Sequence, residues 1–216
     1  EVCINPNQEN EIENVLSKDL FTKYLDIFNK SKTMDFSSGI NRFGSTTHVS
    51  ILDKKGNAAS ITTTNGEGCG YIIPEYGIMM NNMLGEYDLN PFGFHKWKIK
   101  RRLPTMVSPI IITKNSRPEF VLGSGGSNRI RSANIQVILN LLEKNMNLKK
   151  SISSARIHLE GNTLFYEPGI KIPNKKMKNI ILNAFDNKNL FFGGVNGVSN
   201  IEAIGDIRRG GYGIIK

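Results

Sequence analysis

The 216-residue chain carries 28 lysines and arginines against 19 aspartates and glutamates, a formal charge of +9, with 39% hydrophobic residues. That is enough apolar material for a buried core, and it excludes an intrinsically disordered chain. No run approaches the roughly 18 consecutive apolar residues of a membrane-crossing helix, and two cysteines, Cys3 and Cys69, exclude a disulfide scaffold or a cysteine-rich zinc module. The basic excess suits a nucleic-acid binder, and equally one half of a complex whose other half is acidic. The chain opens on Glu1 rather than Met, which reads as a fragment or processed product, so its compartment is not legible.

Residues 8–30 read as a helix, because Ile12, Val15, Leu16, Leu20, Tyr24 and Phe28 recur at spacings of three and four. Residues 31–45 show no period and form a linker. The segments 47–52 and 58–64 alternate β-branched residues around Asp53-Lys54-Lys55-Gly56-Asn57, a hairpin signal. A glycine-rich loop follows at 65–70, a short strand at 77–80 and a polar stretch at 81–90. A second hairpin is expected from 110–113 and 119–122. Residues 123–127 then lead into a long helix to about Met146, with Ile130, Ala133, Val137, Ile138, Leu141 and Leu142 on one face. Shorter helices are expected near 150–157 and 174–186, and strands and turns from Leu190. Strands and helices come in blocks, which predicts an α+β architecture rather than a βαβ sheet.

Several segments carry chemistry. In Gly44-Ser45-Thr46-Thr47-His48 a threonine stands where the linker meets the first strand. A threonine hydroxyl needs a base, and a chain cut before Thr46 supplies its own α-amine. The cut can be self-inflicted: the Thr46 hydroxyl attacks the Ser45 carbonyl, with Gly44 letting the backbone bend. Taken alone, Thr46 and Thr47 read first as β-formers opening a strand. In Leu122-Gly123-Ser124-Gly125-Gly126-Ser127-Asn128-Arg129, a strand passes through a glycine turn into a helix. Such a turn offers backbone N–H groups to a phosphate, a carboxylate or an oxyanion; an ordinary helix entry with Ser127 as N-cap explains it equally well. It has neither P-loop nor dinucleotide spacing. Glu86 and Asp88 lie in a loop that reads as solvated or as a grip on a substrate ammonium. The run His95-Lys96-Trp97-Lys98-Ile99-Lys100-Arg101-Arg102 has the look of a nucleic-acid surface, but one short run without a binding fold is weak, and nucleic acid is not the expected partner. His48 and His158 read as structural, and three histidines without ligand spacing predict no metal site.

In order along the chain, Thr46-Thr47-His48-Val49-Ser50, Asp53 to Ala58, Gly68-Cys69-Gly70, Gly77-Ile78-Met79-Met80-Asn81-Asn82, Leu103-Pro104-Thr105-Met106-Val107-Ser108-Pro109, Gly123-Ser124-Gly125-Gly126-Ser127 and Gly205-Asp206-Ile207-Arg208-Arg209-Gly210-Gly211 together resemble the small-subunit region of the γ-glutamyltranspeptidase family, in the manner of its divergent archaeal and bacterial members. The resemblance implies an α+β N-terminal-nucleophile αββα sandwich. Residues 1–45 would be the tail of the large-subunit region and 46–216 the small-subunit catalytic region. Thr46 would be the nucleophile, freed by autoprocessing at Ser45–Thr46. Thr64 would position it, Gly125 and Gly126 would form the oxyanion hole, Glu86 would hold a substrate α-amine and Thr105 an α-carboxylate, with Asn65 near the substrate. The implied reaction is cleavage of γ-glutamyl amides such as glutathione through an acyl-enzyme, without cofactor or metal. The implied partner is the N-terminal portion of the same precursor, which supplies an arginine for the substrate. Glu86 for Asp, Pro104 for Ser and Thr105 for Ser depart from the family pattern around the substrate grip, not around the nucleophile. The alternatives are therefore a related amidase or acylase on other acyl groups and, from a different class, a non-catalytic basic binding module.

Overall fold

The computed structural model describes Lys18, Asp19, Thr22, Lys23, Asp26 and residues 46–90, 92–172 and 179–216. The chain divides into two compact units, Glu1–Phe36 and Ser37–Lys216. In the first, all five described residues are helical, and the Thr22 hydroxyl donates to the Lys18 carbonyl one turn back at 2.9 Å. The rest of the expected 8–30 helix, the linker and the Ser45–Thr46 bond lie outside the described residues.

The second unit starts with an antiparallel hairpin of β1 (Thr46–Leu52) and β2 (Ala58–Thr64), in which Thr46 pairs with Thr64 and His48 with Thr62. Asp53 closes its turn by accepting from the backbone N–H of Lys55 and Asn57, each at 2.8 Å. A small hairpin, β3 (Ile72–Ile73) with β4 (Ile78–Met79), follows. Two 3-10 turns lead on to β5 (Ile110–Lys114) and β6 (Arg117–Gly125). Asn115 and Ser116 join these strands with φ of 51° and 61°, the left-handed pair that a two-residue hairpin turn requires. Helices α1 (Arg129–Leu142) and α2 (Leu148–Ser153) come next, then β7 (Ile157–Glu160), β8 (Thr163–Tyr166), β9 (Ile181–Ala184), β10 (Gly194–Ser199) and β11 (Ala203–Ile204).

The main sheet has the order β11-β10-β6-β5. On one face, α1 and α2 bury Ala133, Val137, Leu141, Leu148 and Ile152 against Leu122 and Val195. Burying each of these larger side chains contributes about 1.5–3 kcal/mol before entropy is subtracted. On the other face lies the β1–β2 hairpin, and here the contact is small and polar. The Ser60 hydroxyl donates to the Leu122 carbonyl (3.1 Å) and accepts from the Ile110 N–H (3.0 Å). The His48 ring occupies space that a side chain at position 123 would fill: a Cβ on Gly123 would come 2.5 Å from Nδ1 and 2.8 Å from Nε2. Asn196 bridges the sheets, donating to the His48 carbonyl and accepting from the Asp206 N–H, both at 3.0 Å.

The structure corrects three expectations. No helix covers 181–184; these residues form β9, parallel to β8, with Leu182 beside Leu164. A short Ile-Ile-Leu run suits a strand as well as a helix, and pairing distant in sequence decides between them. The long helix ends at Leu142 rather than Met146, where the N–H groups of both Glu143 and Lys144 turn back to the Leu139 carbonyl and Asn145 is left-handed (φ 50°). Ser127 is not the N-cap; Asn128 occupies that position, and Ser127 adopts φ 54°. The β7–β8 hairpin was not anticipated, although Gly161-Asn162 between alternating residues is a turn signal.

Four buried charges tie the end of the chain to the core. Arg156 pairs with Asp206 at 2.7 Å, and Arg208 pairs with Glu167 at 2.5 Å and with Asp206 at 3.2 Å. Glu167 also accepts from the N–H of Arg156 and Asn189, and Asp206 from that of Val195, so both carboxylates are saturated. Such a network is costly to break because each partner would be left charged and desolvated.

His48 accounts for a pH effect on stability. Burial holds its pKa down at about 4, and burial foremost does the same for His158, also about 4. The folded state therefore binds fewer protons than the unfolded chain between about pH 6.5 and pH 4, and stability falls as pH falls through that window. Each histidine contributes a slope approaching 1.4 kcal/mol per pH unit. His48→Asn should remove one such contribution, seen as a shallower dependence of unfolding free energy on pH in denaturant titrations.

Candidate active site

The register of the first hairpin places the two threonines singled out from the sequence side by side. Thr46 and Thr64 are Cα partners, and the Thr46 hydroxyl donates to Thr64 Oγ1 at 2.8 Å. Thr64 Oγ1 also accepts from the Gly66 N–H at 3.0 Å. The Thr46 hydroxyl is thereby held in one direction, on a strand rather than on a loop. Thr46 is half-buried, at the end of the polar inter-sheet contact.

The glycine turn meets the same point. A Cβ on Gly125 would come 2.5 Å from the Thr46 carbonyl oxygen and 3.5 Å from Thr46 Cβ. Position 125 therefore tolerates no side chain, and the backbone at the end of β6 approaches the threonine directly. Gly126, at φ 135°, packs on Gly193, 2.8 Å from where its own Cβ would lie. The Ser124 hydroxyl donates to the Gly125 carbonyl at 2.8 Å and accepts from the Gly194 N–H at 3.1 Å, fixing the strand end from behind. The turn then enters α1, whose first N–H groups carry partial positive charge.

A carboxylate approaches from the third side. Glu86 Oε1 lies 2.5 Å from where a Cβ on Gly66 would sit, and the Asn82 amide oxygen crowds the same spot. Gly66 is the residue whose N–H holds Thr64. The Asn82 side chain accepts from the Glu67 N–H at 2.7 Å, and the Asn65 carbonyl accepts from the N–H of Gly68 and Asn82. The loop after Thr64 and the turn before Glu86 are thus one hydrogen-bonded unit. Buried Asn90 anchors that unit, donating to the carbonyls of Leu84 and Glu86 and accepting from Trp97 Nε1 at 3.1 Å.

Of the residues selected from the sequence, Thr46, Thr64, Gly125, Asn65 and Glu86 are connected in this way, and Gly126 adjoins them. Thr105 is not tied to them: it is exposed, and its hydroxyl accepts from Val107 within its own segment at 3.2 Å. Gly66 and Asn82 escaped selection. The signal for Gly66 was its place two residues after Thr64, where only the paired strand shows that its N–H meets the hydroxyl. Gly193-Gly194, packed beneath the turn, were also missed; a double glycine opening a strand was the available sign.

A second grouping, Ser132, His158 and Glu160, has the composition of a hydrolytic triad but not its geometry. The Ser132 hydroxyl meets His158 Nδ1 at 2.6 Å, yet Nε2 stands 3.8 Å from the Glu160 carboxylate, too far for a hydrogen bond. Among the described residues no group of three or more His, Cys, Asp or Glu side chains is placed to hold a metal, and no helix is long and apolar enough to cross a membrane.

A threonine opening a hairpin, packed under a sheet whose far face carries helices and against a glycine turn, is the arrangement of the N-terminal-nucleophile hydrolase fold. A family model described as Gamma-glutamyltranspeptidase matches residues 4–214, and the chain belongs to that family. It is 34% identical over 130 residues to the glutathione hydrolase proenzyme of Bacillus subtilis (strain 168), a match covering 59% of this chain and 22% of that protein. It is likewise 34% identical over 143 residues to the acylase ACY 1 proenzyme of Pseudomonas sp. (strain SE83), covering 65% of this chain and 25% of that protein. Among solved structures, the γ-glutamyltranspeptidase of Pseudomonas nitroreducens complexed with L-DON aligns with a TM-score of 0.65 at 25% identity, covering 79% of this chain and 99% of that chain. The chain thus spans about a quarter of the length of the curated relatives it matches.

Gly125→Ala tests the close approach of turn and threonine. The added methyl cannot fit against the Thr46 carbonyl, so it should cost about 1–3 kcal/mol in denaturant unfolding. Gly123→Ala should cost at least as much, because its methyl meets the His48 ring. A Gly125→Ala protein as stable as the parent would contradict the geometry.

Proposed function

We propose that this chain is the catalytic C-terminal part of an autoprocessed γ-glutamyltranspeptidase-like acyl transferase and hydrolase, with Thr46 as nucleophile. The observation that carries the reading is the Thr46–Thr64 hydroxyl pair set against the Gly125 backbone. In maturation, Thr46 Oγ1 attacks the Ser45 carbonyl and the peptide nitrogen leaves as the Thr46 amine; water then hydrolyses the resulting ester, releasing the Ser45 carboxylate. In turnover, the freed amine takes the hydroxyl proton as Oγ1 attacks the substrate amide carbonyl. The N–H groups at Gly125 and Gly126 receive the negative charge of the tetrahedral oxygen. The leaving amine takes the proton, the acyl group stays on Thr46, and water or an amino-acid amine removes it. Thr64 keeps the hydroxyl in line throughout.

The acyl donor is a γ-glutamyl amide such as glutathione. Glu86, beside Gly66, is the group for its α-amine, with Asn65 in the same hydrogen-bonded loop; Thr105 is assigned its α-carboxylate from the family resemblance alone. The partner is the N-terminal portion of the same precursor. The outer face of the hairpin supports this, since Val49, Ile51 and Ile61 are each about half exposed there and form an apolar surface that a larger protein covers. The acylase reading has its own support in the similarity to acylase ACY 1 proenzyme and in Glu86, Pro104 and Thr105, which alter the substrate grip.

Intact mass of the purified complete precursor tests maturation. The expected products meet between Ser45 and Thr46, and Thr46→Ala should stay whole and lose turnover by at least about 10³-fold. A wild-type precursor that remains uncut while turning over substrate would exclude the mechanism. Substrate class is decided by kcat/KM on a γ-glutamyl anilide against glutaryl and simple fatty-acyl anilides. We expect the γ-glutamyl compound to lead by about tenfold or more, since losing a paired ammonium leaves the Glu86 carboxylate unmatched. A lead for glutaryl, which lacks the α-amine, would favour the acylase.

A further inference from the structure

The arginine that follows the buried ion network behaves differently from those within it. Arg156, its unpartnered Nε apart, and Arg208 spend their guanidinium donors on Asp206, Glu167 and the carbonyls of Ile152, Ser154 and Phe192. Arg209 points the other way. Its alkyl chain lies across Gly194, whose Cβ would come 2.7–2.9 Å from Arg209 Cδ, Cγ and Cβ. Gly194 is the strand partner of Gly125. Arg209 Nη2 reaches 3.5 Å from the place of a Cβ on Gly126. Its donors are poorly used: Nη2 makes a long bond to the Leu190 carbonyl at 3.4 Å, and Nε, although buried, has no hydrogen-bond partner.

A second cation stands close by. Arg129, the first residue of α1, donates to the Phe191 carbonyl at 3.2 Å and lies over the Phe191 ring, 5.0 Å from its centroid. Burial first, and then the charge of Arg129, push the Arg209 pKa below the usual arginine value, while Asp206 pulls it up. An arginine nonetheless stays cationic in a protein. The turn therefore carries two guanidinium groups and a helix N-terminus, balanced in part by Asp88 and Glu160, which act on Arg129, and by Asp206, which acts on Arg209.

We propose that Arg209 is a positioning residue for the acyl-transfer reaction: it packs on Gly194 to hold the Gly125–Gly126 turn, and its positive charge favours the oxyanion that forms there when Thr46 attacks. The proposal rests on the acyl-transfer reading above. Because the charge on the tetrahedral oxygen develops only as Thr46 attacks, the attraction of Arg209 for it belongs to the transition state and not to substrate binding. A residue that served packing alone would be replaceable by an apolar chain of the same length.

The test uses the complete precursor with Arg209→Met and Arg209→Lys. Arg209→Met should keep the melting temperature within a few degrees, lower kcat by about 10–100-fold and leave KM within about threefold. Arg209→Lys should restore kcat to within about fivefold of wild type, because it returns the charge. Self-cleavage before Thr46, which forms an oxyanion at the same place, should slow in the Met variant and recover in the Lys variant. If Arg209→Met fails to fold, Arg209→Gln against Arg209→Lys carries the same comparison, with loss expected only in Gln. Full kcat in Met or Gln overturns the proposal, as does a change confined to KM, which would make Arg209 a ground-state anion ligand. An inactive, uncut wild-type precursor would instead defeat the acyl-transfer reading itself.

Discussion

The structure depends on one contact: the β1–β2 hairpin lying against the β6–β10 face through residues small enough, or polar enough, to bring two backbones together. Sheets usually pack about 10 Å apart through interdigitating apolar side chains. Here Ser60, His48, Thr62, Gly123 and Gly125 occupy that layer, and hydrogen bonds cross it from Ser60 to the Leu122 carbonyl, from Ser50 to the Asn196 carbonyl and from the Asn196 side chain to the His48 carbonyl. The apolar core lies on the opposite side of the sheet, under α1 and α2. This division leaves the inter-sheet layer free to place a hydroxyl beside a glycine turn. An apolar layer would hold the sheets as firmly but would keep Thr46 away from the Gly125 backbone.

The same contact shows why the ion network sits where it does. The glycine turn is built from Gly125–Gly126 above and Gly193–Gly194 below, neither pair offering side chains to lock it. Rigidity comes from outside. Asp206 holds the Val195 N–H on the strand beneath, Arg156 reaches the Phe192 carbonyl, and Arg208 reaches the loop before β7. The last turn of the chain is therefore a brace for the middle of it. Buried charges are a poor source of net stability, but a saturated network has one favoured arrangement, which suits a site that must keep atoms within a few tenths of an ångström.

Local order was largely legible in the sequence. Alternation gave away the β1–β2 and β5–β6 hairpins, and the spacing of Ile130, Ala133, Val137 and Leu141 revealed α1 and the face it buries. The threonine and glycine motifs that suggested the family also meet in space, because Thr46↔Thr64 register follows from a hairpin with its turn at 53–57. What stayed hidden depends on pairing across the chain. The run 181–184 becomes a strand only because β8 offers an edge. Gly66 matters only because its N–H lies over Thr64, and Arg209 only because β10 carries Gly194 beneath Gly125. Neither residue differs in type from many others in the chain. Their significance is positional, and position is a property of the assembled sheets.

The departures from the family pattern fall unevenly on this framework. Thr46, Thr64, Gly125 and Gly126 sit on strands or at a strand end, where the sheet fixes them to within a rotamer. Glu86 sits between two 3-10 turns, and Thr105 in a segment without regular structure before β5. A glutamate in place of an aspartate moves a carboxylate by about one methylene, which a loop absorbs and a strand does not. On the proposed reading, chemistry is therefore held by the part of the fold least able to change, and recognition by the part most able to. Under that proposal one acyl group can be exchanged for another without disturbing the nucleophile, in keeping with a likeness to both a glutathione hydrolase proenzyme and an acylase proenzyme at the same 34% identity.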